Sequence, residues 1–314
     1  MLGNTPSLYP ELFGSAPVSF TLMHVGTRHR SLPSRALRLL CVLLLAAGAA
    51  GCAKLVYNRL DSIAAWYVGS LVSLDDQQSS TLRAWLSQTL EWHRESELGR
   101  YATFLRELSS EVAQPVSRTE YQRALDRVQG FADDFTAQTA PEAARLLMEL
   151  SPSQVEEFLA NLEEKSKERS ADNRDAIQDG TWQAKRIKDT QRQVKRWTGT
   201  VTEEQKLLVR EMAQHIQPTT TDWLESQRQW RAALGDALAD AFSNRDTAEK
   251  RILQLLREPE TQWTAQYKTK EASNREQILT LLTALDASLT PAQRERMQRE
   301  LTTLAERLEA LTEE

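Results

Sequence analysis

Cysteine, histidine and glycine are scarce in this chain. Cysteine occurs twice in 314 residues, at Cys41 and Cys52, and histidine four times. There is no CxxC, HExxH or closely paired histidine, so a dedicated transition-metal site is not expected. The sequence also has no GxSxG and no glycine-rich phosphate loop, which removes the usual signatures of serine hydrolases and nucleotide-binding enzymes. The expectation is a protein without cofactor or metal, and not an enzyme. Eleven glycines and ten prolines are too few for a turn-rich β fold, and no stretch alternates apolar and polar residues long enough to read as a strand. The net charge of -5 argues against general nucleic-acid binding. The apolar run from Leu39 to Gly51 falls short of the roughly 20 residues that a membrane-crossing helix needs.

That short run has the layout of a secretory signal. Arg28, Arg30, Arg35 and Arg38 precede it, and Ala49-Ala50-Gly51-Cys52 ends it. The ending resembles the lipobox of bacterial lipoproteins, which implies cleavage before Cys52 and acylation of its thiol. Ala49 stands where those proteins usually have leucine. Ordinary cleavage after a small residue, with Cys52 left as a free thiol, is the other reading. Residues 1–22 carry three prolines and no basic residue, whereas a start at Met23 gives a signal of conventional length. Residues 1–51 are therefore expected to be a signal peptide with an over-extended start. Downstream of it Cys52 is the only cysteine, so no disulfide can form within the remaining chain.

Gln, Glu, Arg, Leu and Ala dominate the rest, and all favour helices. The expected fold is all-α, an elongated bundle of long helices with short capped turns. One pattern recurs: "LDDQQ" at Leu74, "LSPSQ" at Leu150, "VTEEQ" at Val201 and "LTPAQ" at Leu289. Each reads as a capping box, in which a hydroxyl or carboxylate accepts the N3 amide and the N3 Gln reaches back to the N-cap amide. Pro152 and Pro291 fall at N1, where a missing N–H costs nothing. Ser117 with Glu120, and Asp246 with Glu249, repeat the logic. Helix starts are thus expected near 76, 118, 152, 203, 247 and 291, after a first helix over 55–72. The spacings predict helices of about 35–45 residues for several segments, at about 1.5 Å per residue. Pro115, Pro141, Pro218 and Pro259 should bend or end the helices that reach them. The same "LTxxQ" pattern resembles motifs of small periplasmic stress chaperones, which implies client binding as an alternative function.

The middle of the 151–198 segment, "EEKSKERSADNRD", has no large apolar residue and predicts an exposed helix bridging two packed ends. A boundary is placed there. The expected units are an N-terminal bundle over 52–165 and a C-terminal long-helix bundle over 166–314. Lys185, Arg186, Lys188, Arg192, Lys195 and Arg196, with Trp182 and Trp197 nearby, form either a patch for anionic envelope polymers and lipids or a solvated face.

The stretch from Thr89 to Leu108, "TLEWHRESELGRYATFLREL", places ionisable groups on an apolar helix face. At a uniform helical turn His93, Arg94 and Glu97 fall among Leu82, Leu86, Tyr101 and Phe104, which predicts one inward-facing structural polar cluster. Cys52, Tyr57, Leu60, Asp61, the "LDDQQ" box and "WHRESELGRYATFL" together resemble an uncharacterised family of proteobacterial helical outer-membrane lipoproteins. Gly99 stands where that family usually has proline. The resemblance implies address and fold and no activity. With Ala53 in place of the aspartate that retains lipoproteins at the inner membrane, the expected location is the periplasmic face of the outer membrane. The expected partners are the membrane, through a lipid anchor on Cys52, and an unidentified protein, but no nucleic acid. The expected role is a non-enzymatic interaction or scaffold function.

Overall fold

A computed structural model describes residues 50–313, with side chains from Lys54 onward. The expected signal segment up to residue 49 lies outside them. So does the side chain of Cys52, whose backbone falls in the first helix. Among the described residues the fold is all-α, with no strand. The helices are α1 Ala50–Tyr57, α2 Leu60–Gly69, α3 Asp76–Trp92, α4 Leu98–Glu111, α5 Arg118–Leu147, α6 Pro152–Gln178, α7 Trp182–Thr198, α8 Glu203–His215, α9 Thr220–Asp240, α10 Arg245–Arg257, α11 Ala265–Ala287 and α12 Pro291–Glu309. A π-turn, His93–Glu97, joins α3 to α4 without a break, and a 3₁₀ turn, Pro259–Gln262, precedes α11.

Five of the six expected capping boxes form in full, with both reciprocal hydrogen bonds, at Asp75/Gln78, Ser117/Glu120, Ser151/Gln154, Thr202/Gln205 and Thr290/Gln293. The sixth does not. Asn244, two residues before Asp246, accepts the Thr247 N–H and starts α10 earlier.

The predicted helix lengths are too long for most segments. The first helix breaks at Asn58 and Arg59, and α6 stops at Gly180, which adopts φ +67°. There the Thr181 N–H reaches back to the Ala176 carbonyl, a closure that a left-handed residue makes possible. Gly199, at φ +80°, ends α7 in the same left-handed half of the map. Pro141, expected to bend or end its helix, lies inside an unbroken α5. Proline deprives the carbonyl four residues earlier of its partner. That carbonyl belongs to Ala137, and Arg257 of α10 donates Nη2 to it at 3.4 Å.

The apolar residues gather in four separate clusters rather than one core. Tyr57, Leu60, Leu98, Ala102, Ala305 and Leu308 join α1, α2, α4 and α12. Val112, Val116 and Leu301 lie next to them. Ala144, Leu234, Leu238, Ala248 and Ile252 join α5, α9 and α10, with Phe158 and Leu159 of α6 packed against them. Val209, Met212, Ile278 and Leu281 join α8 to α11. The expected boundary at 165/166 falls inside α6, and helices from either side of it pack together, α12 on α4 and α10 on α5.

The middle of α6 is not the exposed bridge that its composition suggests. Its polar face packs on α9: Ser170 is buried, Arg231 reaches Ser166, and the Arg169 guanidinium stacks over Trp223. Small serines let the helices approach, so burial here needs no large apolar side chain.

The box glutamines have a second task. Gln78 and Gln154 bond to each other, side chain to side chain, at 2.7–3.1 Å. Each then donates to the carbonyl two residues before the other's N-cap, Gln78 to Glu149 and Gln154 to Ser73. Gln205 and Gln293 repeat the arrangement, bonding to each other at 2.9–3.0 Å and to the carbonyls of Ser288 and Thr200. Each pair is a clasp holding two helix starts together, with every amide group used. The second clasp is the more buried, with Gln205 fully buried and Gln293 nearly so. Orphaning buried amide partners costs about 1–3 kcal/mol per group. Gln205→Leu should therefore destabilise the protein by about 2–3 kcal/mol, and Gln78→Leu, at a part-exposed clasp, by less. In a denaturant titration, equal losses at the two positions would refute the clasp as the source of the effect.

Candidate functional site

The region around His93 has the densest set of unusual features. The Leu98 N–H bonds to the His93 carbonyl, five residues back, so the helix takes one wide turn there. A wide turn inserts one residue and shifts every later side chain around the axis. Uniform winding from Leu82 and Leu90 would carry the buried face to 97, 101, 104 and 108. The π-turn widens it by one position: Leu98, Ala102 and Ser109 are buried beside Glu97 and Phe104.

The expected cluster divides accordingly. The His93 Nδ1 hydrogen-bonds the Tyr57 hydroxyl at 3.0 Å, and the Arg94 guanidinium lies 5.3 Å from the Tyr57 ring centre while donating to Asn58 Oδ1 at 2.9 Å. Glu97, only 3% exposed, does not bond to either of them. It accepts two hydrogen bonds from Arg100, at 2.8 and 3.0 Å, and Arg100 reaches on to Asp134 of α5. Burial pushes the His93 imidazole down to about 4, and it pushes the Tyr57 phenol well above its ordinary range. Both are therefore neutral at physiological pH. Tyr101 and Phe135 stand edge-on to the His93 ring, and Phe131 packs on Tyr101 and Phe104.

Between α4 and α5 lies a hollow of about 500 Å³, lined by Gly99, Arg100, Thr103, Arg127, Gly130, Phe131 and Asp134. Arg100 and Arg127 stack over Phe131 and Phe104, and Arg127 pairs with Glu107 at 3.1 Å. Both glycines face open space, where a β-carbon would meet no atom within 4 Å.

A second polar centre lies outside every sequence expectation. Asp286, at the end of α11, is 2% exposed. It accepts the Val116 N–H at 2.9 Å, the Tyr121 hydroxyl at 3.2 Å and the Arg294 guanidinium at 3.1 Å. Arg294 also donates to the carbonyls of Val112, Gln114 and Asp286. The ion pair thus pins the α4–α5 connection to the α11–α12 turn. A buried aspartate just before the "LTPAQ" box was the available clue.

Of the six cations of 185–196, Lys188, Arg192, Lys195 and Arg196 are exposed at helical spacing on α7, whereas Lys185 and Arg186 are turned inward. Lys185 bonds to Asn173, Arg192 pairs with Asp189, and Arg186 is buried enough to depress its pKa in spite of the nearby Asp189 and Glu271 carboxylates. Trp182 and Trp197 pack in different apolar clusters.

The described residues thus form an all-α protein in which Gln205, Gln293 and Asp286, all buried, fix helix ends. The family described as a family of unknown function (DUF6279) matches residues 70–268, more than half of the chain, and the chain belongs to that family. The matched span holds the π-turn and the first clasp, whereas α12, with Gln293 and Arg294, lies beyond it. No curated protein and no solved structure matches the chain.

Proposed function

We propose that the protein is a lipoprotein of the cell envelope, acylated on Cys52 and held at the periplasmic face of the outer membrane, where its helical body serves as a non-enzymatic interaction scaffold. The address rests on the arginine-led apolar run, the small residues before Cys52 and the absence of aspartate at position 53. No described helix is long and apolar enough to cross a membrane. The observation that carries the scaffold role is the spending of the polar interior on architecture. His93, Glu97, Gln205, Gln293 and Asp286 all hold protein groups.

The chaperone alternative drew on the "LTxxQ" pattern, and the clasps account for those glutamines structurally. The large exposed apolar side chains Leu55, Trp66, Phe135, Leu207 and Phe242 are spread along the chain from α1 to the turn after α9.

Cys52→Ser should abolish palmitate labelling and release the protein from the membrane fraction. A variant that stays membrane-bound, with its precursor cut at an unchanged position, would refute the anchor. For the scaffold, a photo-crosslinking residue at Thr103, beside the hollow, should trap one discrete species in cells. A diffuse smear of many proteins would instead favour client binding.

A further inference from the structure

The first two helices each leave large side chains uncovered. Leu55 of α1, Arg59 in the turn between the helices, Ser62 and Trp66 of α2, and Ser70 just after it are exposed. The opposite face, with Tyr57, Leu60, Val56 and Ile63, packs into the α4–α12 cluster. Leu55 is 71% exposed and Trp66 50%. Position 52 precedes Leu55 by three residues in the same helix, which puts the two positions on one side of it.

The face also carries positive charge. Arg59 and Arg83 are exposed and belong to no ion pair among the described residues. Arg83 lines a recess of about 440 Å³ with Trp66, Ala65, Val72 and Leu82. Asp61 lies on the same helix, where its carboxylate accepts the Ser62 N–H.

Exposed tryptophan and leucine beside unpaired arginines match the boundary of a bilayer. Indole rings favour the headgroup level, and guanidinium groups pair with phosphate oxygens. We propose that the α1–α2 face bearing Leu55, Arg59 and Trp66, with Arg83 beside it, rests on a phospholipid surface and forms a second, protein-made contact next to the lipid on Cys52. The contact fixes the orientation of the body on the membrane, which a flexible acyl tether alone leaves free. The placement rests on the anchor reading above, because position 52 sets which end of the molecule meets the bilayer.

The test uses the full-length protein, isolated from cells with its native modification and reconstituted into phosphatidylethanolamine–phosphatidylglycerol vesicles carrying acyl chains brominated near the headgroup. Bromine quenches only indoles within contact range of the lipid. Tryptophan emission should fall on reconstitution, and Trp66→Phe should remove at least half of that quenching. Leu55→Asp together with Arg59→Glu should lessen it as well. Palmitate labelling of the same preparation tells the two readings apart. A labelled, vesicle-bound protein whose quenching is unchanged in Trp66→Phe overturns the face while leaving the anchor. An unlabelled protein that still binds vesicles through a quenched Trp66 retains the face and removes the anchor. An unlabelled protein that does not bind overturns both.

Discussion

Asp286→Ala should cost about 3–5 kcal/mol of stability, the loss expected when a buried ion pair is broken by removing one partner. At this chain length that corresponds to a melting temperature lower by on the order of 10 °C. The alanine would leave Arg294 with its side chain 14% exposed and no carboxylate opposite it. It would also orphan the Val116 N–H, which has no solvent to turn to, and the Tyr121 hydroxyl. Tyr121 reports on the same contact: burial and the Asp286 carboxylate together push its phenol above the ordinary range. Asp286→Asn keeps one acceptor for Val116 and should lose less. Removing both charges, with Asp286→Leu and Arg294→Met, should cost less than the sum of the single losses, because neither variant then buries an uncompensated charge. Strict additivity, or a loss below about 1 kcal/mol for Asp286→Ala, would show that water reaches the pair and that it does not pin the two turns.

Helix starts were legible in this sequence because capping is local. Ser117 and Glu120, or Thr290 and Gln293, carry their whole meaning within four residues. Which starts pair was not legible. Gln205 meets Gln293 across 88 positions of chain, and four similar boxes allow several pairings. Helix ends were read less well, although Gly180 and Gly199 mark two of them by the left-handed backbone that glycine tolerates. The unread glycines are the main reason that helices of 27 and 17 residues, α6 and α7, were taken for one.

The divided cluster at His93 has a different cause. A helical wheel assumes constant winding, and one π-turn breaks that assumption for every residue beyond it. The slip leaves a trace. Leu82, Leu86 and Leu90 keep one register, and Leu98, Ala102 and Leu105 follow one residue out of step with its continuation. Reading that shift would have moved Glu97 away from His93 and toward Arg100. What composition could not reveal is that Tyr57, in the first described helix, supplies the partner for His93. Nothing in the spacing of residues 57 and 93 points to contact.

That contact makes the stability of the protein depend on pH. The His93 imidazole is held at about 4 by burial, below its ordinary 6.5. Between those values the unfolded chain binds a proton that the folded protein refuses, so stability rises with pH. The contribution is fully present above pH 6.5 and is lost progressively as the pH falls to about 4. At 1.36 kcal/mol per pH unit it amounts to about 3 kcal/mol. The groups that contact the ring, Tyr57, Tyr101 and Phe135, carry no carboxylate. Carboxylates elsewhere titrate over the same range, so the measurement is a difference. His93→Asn keeps a hydrogen-bonding atom near Nδ1 and cannot titrate. Denaturant unfolding of both proteins should show the wild type losing about 3 kcal/mol relative to the variant between pH 7 and pH 4. A difference that stays flat over that range would mean that His93 takes up its proton without leaving the fold. The Tyr57–His93 contact would then be open to water and not a sealed joint between α1 and the π-turn.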